Sequence, residues 1–139
     1  MLILDTNHYS EIERESHIGL MLSQRLRTAG DDGFLTIVTP EEVLKGWMAA
    51  IQPHRQADLG VRAYGEFHHS LEGFRDWFIL PWTHDAARNF ALLKSQKLNI
   101  GTKDLCIASI ALEYDATVLT RNLRDFRKVP GLKSENWLD

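Results

Sequence analysis

Met1-Leu2-Ile3-Leu4-Asp5-Thr6-Asn7 decides how the rest of the chain is read. Leu2, Ile3 and Leu4 leave no polar face, which predicts a short strand buried on both sides. The run stops abruptly at a carboxylate followed by two hydrogen-bonding residues. An acid that ends a fully apolar strand gains little from solvation there, so Asp5 marks a site as well as an element boundary. In α/β proteins ligands bind at the edge where parallel strands end, and the question becomes what converges with Asp5. A strand beginning at residue 1 is also expected to leave no room for a leader.

Size and composition bound the answer. A chain of 139 residues suits a single domain over 1–139, with a core that needs no staples. Its 44% hydrophobic and 25% charged content is that of a folded enzyme or binding module, not of a disordered chain. The one cysteine, Cys106, cannot form an intrachain disulfide and has no Cys partner for a zinc knuckle, which favours a reducing compartment. It lies in the apolar run Leu105-Cys106-Ile107-Ala108 and is expected in the core. No apolar run approaches the ~20 residues needed to span a bilayer, so a soluble, cytoplasmic protein without a membrane partner is expected. The net charge of −3 argues against a general nucleic-acid coat. It does not argue against a nuclease, whose metal-binding acids subtract positive charge that bound cations restore locally.

Working outward from Asn7, the polar residues 8–15 read as a short helical turn and loop. Ile18, Leu22, Leu26 and Ala29 recur at helical spacing and predict an amphipathic helix over 17–29, closed by Gly30-Asp31-Asp32-Gly33. Residues 34–38 read as a β-branched strand. Thr39-Pro40-Glu41-Glu42 then opens a helix, with Thr39 as cap, Val43, Leu44, Trp47, Met48 and Ile51 on one face, and Pro53 as its end. A further helix over 54–77 is interrupted by three glycines. Phe78-Ile79-Leu80 reads as a third strand, followed by a helix from Thr83 or Asp85 carrying Ala86, Phe90, Leu93 and Leu98. The helix from Thr102-Lys103-Asp104 is apolar nearly all round and should be central. Thr117-Val118-Leu119-Thr120 reads as a fourth strand, Asn122 to Phe126 as a helical turn, and a last edge segment ends at Trp137. Strands alternating with helices imply a mostly parallel sheet of four to five strands covered by helices on both faces.

On that outline Asp5 follows the first strand, Glu42 lies in the first turn after the second, Asp104 opens the apolar helix, and Asn122 follows the fourth strand. Strand ends and the following helix starts share one edge of such a sheet, so side chains distant in sequence can meet in one crevice. Three carboxylates brought together repel unless a cation sits among them. Such oxygen-rich sites take Mg²⁺ or Mn²⁺ and support hydrolysis of a phosphodiester. Each residue also has a plainer reading. Thr39-x-x-Glu42 is a capping box pattern, Asp104 complements a helix dipole, and Asn122 with Asp125 looks like a cap and its reply. The histidines lack zinc spacing, there is no Gly-rich phosphate loop, and Ser70 has no nucleophile elbow. The tryptophans read as core or interface. Arg121, Arg124, Arg127 and Lys128 are either a solvated face or a grip on a phosphate backbone.

These motifs resemble the PIN-domain ribonucleases, and among them the VapC-type toxins of bacterial toxin–antitoxin pairs. The likeness rests on Leu4-Asp5-Thr6-Asn7, on Thr39 through Gly46, on Gly101 through Ala108, on Leu119-Thr120-Arg121-Asn122 running into Asp125-Phe126, and on the ending Val129-Pro130-Gly131-Leu132 with Trp137. It implies a PIN-like three-layer α/β sandwich and an endoribonuclease dependent on Mg²⁺ or Mn²⁺, with Asp5, Glu42 and Asp104 as metal ligands. Thr6, Thr120 and Asn122 would orient ligands, water or phosphate, Asp125 would be peripheral, and Lys103, Arg121, Arg124 and Arg127 would face RNA, possible targets being tRNA or mRNA. Many members carry an acid where Asn122 stands, so the three firm acids point to one tightly held metal. The resemblance also implies a homodimer and a VapB-like antitoxin that covers the acidic groove. The alternative is a PIN-like RNA- or protein-binding module without catalysis. A haloacid-dehalogenase-type phosphatase also starts with an Asp after a strand, but needs a second acid where Asn7 stands.

Overall fold

The computed structural model describes residues 1–52 and 60–139. Within them lie β1 (Leu2–Leu4), α1 (Thr6–Glu13), α2 (His17–Ala29), β2 (Leu35–Thr36), α3 (Val38–Ile51), α4 (Val61–Gly73), β3 (Ile79–Leu80), α5 (His84–Ser95), α6 (Thr102–Glu113), β4 (Thr117–Leu119), α7 (Leu123–Phe126) and β5 (Lys133–Glu135). All strand pairings are parallel. β1 pairs with β4, with Leu4 opposite Leu119, β4 pairs with β5, and β2 pairs with β3. An isolated bridge between Ile3 and Phe34 joins the two sets, through Leu4 N–H to Phe34 O at 2.9 Å and Phe34 N–H to Leu2 O at 2.8 Å. The strand order is therefore β3-β2-β1-β4-β5.

That order has a functional consequence. The chain runs outward from β1 through β2 and β3, then returns to the other side of β1 for β4 and β5. Direction reverses between β1 and β4, which opens a crevice beyond their carboxyl ends. Asp5 leaves β1 at this point.

Successive strand residues point to opposite faces, and they sort the core into two halves. Ile3, Val118 and Leu80 pack with Ala86 and Leu93 of α5 and with Leu105, Ile107, Ala108, Ile110 and Ala111 of α6. Leu4, Leu119 and Leu35 pack on the other side with Tyr9 of α1 and Leu22 and Leu26 of α2. Helices thus cover both faces, as the alternation of elements implies. α6 is central because Ile107 through Ala111 offer water no polar stripe, all five being buried. α2 packs against α1 so closely that a Cβ on Gly19 would run into the Glu11 carbonyl, which is why a glycine stands there.

Several boundaries differ from those read in the sequence. The helical turn read within residues 8–15 is longer than expected: α1 starts directly after Asp5 and runs to Glu13, and Asp5 caps it by accepting from the His8 N–H at 2.8 Å. The second strand is only Leu35–Thr36, because α3 begins at Val38. Thr39 is consequently inside the helix and not its cap; the cap position is Ile37, without a side-chain hydrogen bond. The third strand loses Phe78, which is 68% exposed. The helix expected over 54–77 is α4 over Val61–Gly73 followed by a 3-10 turn at Phe74–Asp76. Its first residues and Pro53 lie outside the described residues. Cys106 is half-buried against the core rather than within it. None of the four tryptophans is fully buried.

Candidate functional site

Three carboxylates stand around the crevice, each held through one oxygen. Asp5, only 6% exposed, accepts twice on Oδ1, from the backbone N–H of His8 at 2.8 Å and from His8 Nδ1 at 3.1 Å. Glu42 accepts on Oε1 from the Thr6 hydroxyl at 2.8 Å. Because Thr6 spends its only proton on Glu42, Thr39 must be the donor in the 3.2 Å contact between the two hydroxyls. Asp104 accepts on Oδ2 from Asn122 Nδ2 at 2.8 Å. The second oxygen of each acid, Asp5 Oδ2, Glu42 Oε2 and Asp104 Oδ1, has no hydrogen-bond partner among the described residues.

The plainer readings can now be compared with geometry. Glu42 does not complete a capping box, since Thr39 is no cap and Glu42 turns instead to Thr6. Asn122 does occupy the cap position of α7, yet its side chain makes no cap bond; it donates to Asp104 and, at 3.0 Å, to Asp125 Oδ2. Asp104 does sit in the first turn of α6, where the helix dipole favours it. Asp5 has a structural task that the sequence reading did not foresee, as cap of α1.

Electrostatics tie the groups together. The Asp104 carboxyl is pushed up, first by burial and then by the charges of Asp5 and Asp125, with the Asn122 amide opposing. Asp5 and Asp104 are thus near enough to feel each other's charge. Asp125 is held below the usual carboxylate range by Asn122 and by Lys128, whose Nζ lies 3.1 Å away. Thr120 is fully buried and accepts on its hydroxyl from the Asn122 N–H at 2.9 Å, which fixes the turn leaving β4.

The basic candidates are less uniform. Lys103 pairs with Glu41, linking the starts of α6 and α3. Arg121 pairs with Asp139 at 3.4 Å and Arg124 with Asp125 at 3.4 Å, while exposed Arg127 has no ion pair among the described residues. A surface hollow of about 390 Å³ lies between α2 and residues 137–139, and none of the three carboxylates lines it. Sequence reasoning missed His8, which is fully buried. Its one signal was its place three residues after Asp5, where a helix start brings the two side chains together.

The residues fit a hard divalent cation in one respect and not in another. Among the described residues no three His, Cys, Asp or Glu side chains close into a cage. Mg²⁺, however, seldom uses an all-protein cage; it keeps waters and takes one or two carboxylates together with substrate phosphates. An open, all-oxygen set with one free oxygen per acid has that character.

A parallel sheet reversing at β1 and β4 is the fold this chain shares with the VapC-type PIN domains. The chain covers 98% of itself and 98% of the matched chain in the structure of VapBC2 from Rickettsia felis bound to a DNA fragment from their promoter, with a TM-score of 0.72 and 20% identity. A toxin–antitoxin complex from Klebsiella pneumoniae gives a TM-score of 0.68 at 19% identity, over 95% of each chain. In sequence the chain is similar to ribonuclease VapC2 of Rickettsia felis, 44% identical over 45 residues, or 32% of this chain and 34% of that protein. The match thus spans about a third of that relative. No protein-family model matches the chain.

Proposed function

We propose that the chain is a Mg²⁺- or Mn²⁺-dependent endoribonuclease toxin of the VapC type. The single observation that carries this reading is the set of three carboxylates at the sheet reversal, each anchored through one oxygen and free at the other. Asp5, Glu42 and Asp104 would hold the cation, which when bound supplies a water of lowered pKa and neutralises charge on the leaving oxygen.

The chain's own groups prepare that chemistry. Thr6, itself held by Thr39, sets the rotamer of Glu42, and Asn122 sets that of Asp104. Burial and the like charges of Asp5 and Asp125 push the Asp104 carboxyl up, and a cation beside it would favour its charged form. Arg121, Arg124, Arg127 and Lys103 would meet the phosphate backbone of a tRNA or mRNA. The likeness to VapC ribonucleases and to a toxin–antitoxin complex supports RNA as substrate and a VapB-like antitoxin as partner. We place the active protein in the cytoplasm as a homodimer.

The test is cleavage of a panel of RNAs with Mn²⁺, with Mg²⁺ and with EDTA. Cleavage that requires the metal and stops on adding a peptide from the cognate antitoxin is expected. Equal cleavage in EDTA would remove the metal from the mechanism. RNA binding without cleavage under any metal would bring forward the non-catalytic module.

A further inference from the structure

His8 is the one fully buried histidine of the described residues, and both of its ring nitrogens have partners. Nε2 faces the backbone N–H of Trp137, 3.4 Å away. A backbone N–H can only donate, so Nε2 must be the unprotonated nitrogen. In the neutral ring the proton is then on Nδ1, and the bond to Asp5 Oδ1 at 3.1 Å is a donation from His8.

His8 therefore delivers two donors, its N–H and its Nδ1–H, to the same Asp5 oxygen. The residues after β5 hold the ring in this state, and they are themselves anchored. Leu138 is buried at 6%, and the Trp137 ring lies under the Arg25 guanidinium, 4.1 Å from its centroid. A contact between residues 129 positions apart thus reaches the acid at the end of β1.

We propose that His8 is the positioning residue of Asp5: it saturates Oδ1 through a tautomer fixed by the Trp137 N–H, and so presents Oδ2 as the oxygen for the cation. The assignment rests on the metal-site reading for what Oδ2 meets, but not for the pairing itself. Partners of a ligating carboxylate or imidazole set its orientation, and losing one typically costs about 10- to 100-fold in metal affinity or activity.

Two experiments test it. In the wild-type protein, imidazole ¹⁵N NMR is expected to show His8 with a protonated Nδ1 and a bare Nε2; the opposite tautomer would overturn the proposal whatever the protein's activity. The second uses two substitutions of the ring, with Mn²⁺ affinity measured by calorimetry and the fold checked by melting. His8→Asn places an amide near Nδ1 and keeps a donor for Asp5, so its affinity should stay within a few-fold of wild type. His8→Gln places its amide near Nε2 and leaves Asp5 Oδ1 with the backbone donor alone, so its affinity should fall about 10- to 100-fold. Equal affinity in both folded variants, or a loss that follows melting temperature instead of the donor, overturns the positioning role. If wild type shows the expected tautomer but binds no Mn²⁺, the ribonuclease reading fails, and with it the assignment of Oδ2 as a ligand.

Discussion

The two walls of the crevice are built differently. On the β1 side, Asp5 and Glu42 are held by buried or part-buried donors: the His8 N–H and imidazole, and the Thr6 hydroxyl backed by Thr39. On the β4 side, Asp104 is tied through Asn122 to Asp125, which in turn pairs with Lys128 and Arg124 at the surface. Hydrogen bonds in a buried setting fix a carboxylate's direction, and salt screens them little. Ion pairs at a surface are screened and contribute little to stability. The comparison teaches that geometry is stored in the first wall and electrostatic adaptability in the second.

The largest effects should come from removing an acid from each wall, and stability should separate the two. Asp5→Ala is expected to lower RNA cleavage by more than ~100-fold, exceeding the loss from an outer partner. It also removes the α1 cap, at a cost of about 1 kcal/mol by denaturant unfolding. Asp104→Asn should lose activity similarly yet melt higher at neutral pH. The sign follows from the raised Asp104 carboxyl: the unfolded chain ionises it at lower pH than the folded one, so its charge costs stability once pH exceeds the ordinary carboxylate range. The advantage of Asn should therefore disappear in acid, where both states are protonated, as melting curves across pH would record. A destabilised Asp104→Asn at neutral pH would break the comparison.

A smaller effect is expected at Thr6. Thr6→Val keeps the shape and deletes the donor to Glu42, so Mn²⁺ affinity should fall about 10-fold or somewhat more. An unchanged affinity would mean that Glu42 is oriented by its helix alone. The smallest effect belongs to the outermost acid. Asp125→Asn should change cleavage in low salt by only about two- to threefold, since its cationic partners Arg124 and Lys128 reach solvent and such pairs are weak. It also frees Lys128 and Arg124, so RNA affinity measured over a salt series should show a slightly steeper dependence. A hundredfold loss in that variant would move Asp125 from the rim into the site.

The sequence read some elements to the residue and others poorly, for identifiable reasons. α2 runs from His17 to Ala29 as its periodicity and Gly30 imply, Gly30 adopting a left-handed φ of 68° at the C-terminus. α6 begins at Thr102 as read, with Asp104 in its first turn. Both depend on neighbours within a turn. The second strand shrank because its length is set by pairing with β3 and by the Ile3–Phe34 bridge, which the local β-branched run does not encode. Thr39 was misread for a related reason. Its hydroxyl bonds to a residue 33 positions away, and no local pattern distinguishes that from a cap. The positions of Asp5 after β1 and Asp104 in the first turn of α6 were legible because strand ends and helix starts share one edge, but the partners of the acids were not.

What the sequence by itself determined is the type of fold and the positions where acids meet its carboxyl edge, because hydrophobic period and cap chemistry act over a few residues. Only the tertiary structure decided how those acids are held. It set the strand order that reverses beside Asp5, turned Glu42 from a cap to Thr6, gave Asn122 to Asp104, and brought the Trp137 N–H to His8. The last three are hydrogen bonds across 18 to 129 positions, made only once the sheet has assembled, so the anchored oxygens of Glu42 and Asp104 are assigned by packing, whereas Asp5 Oδ1 is held by a residue three positions on.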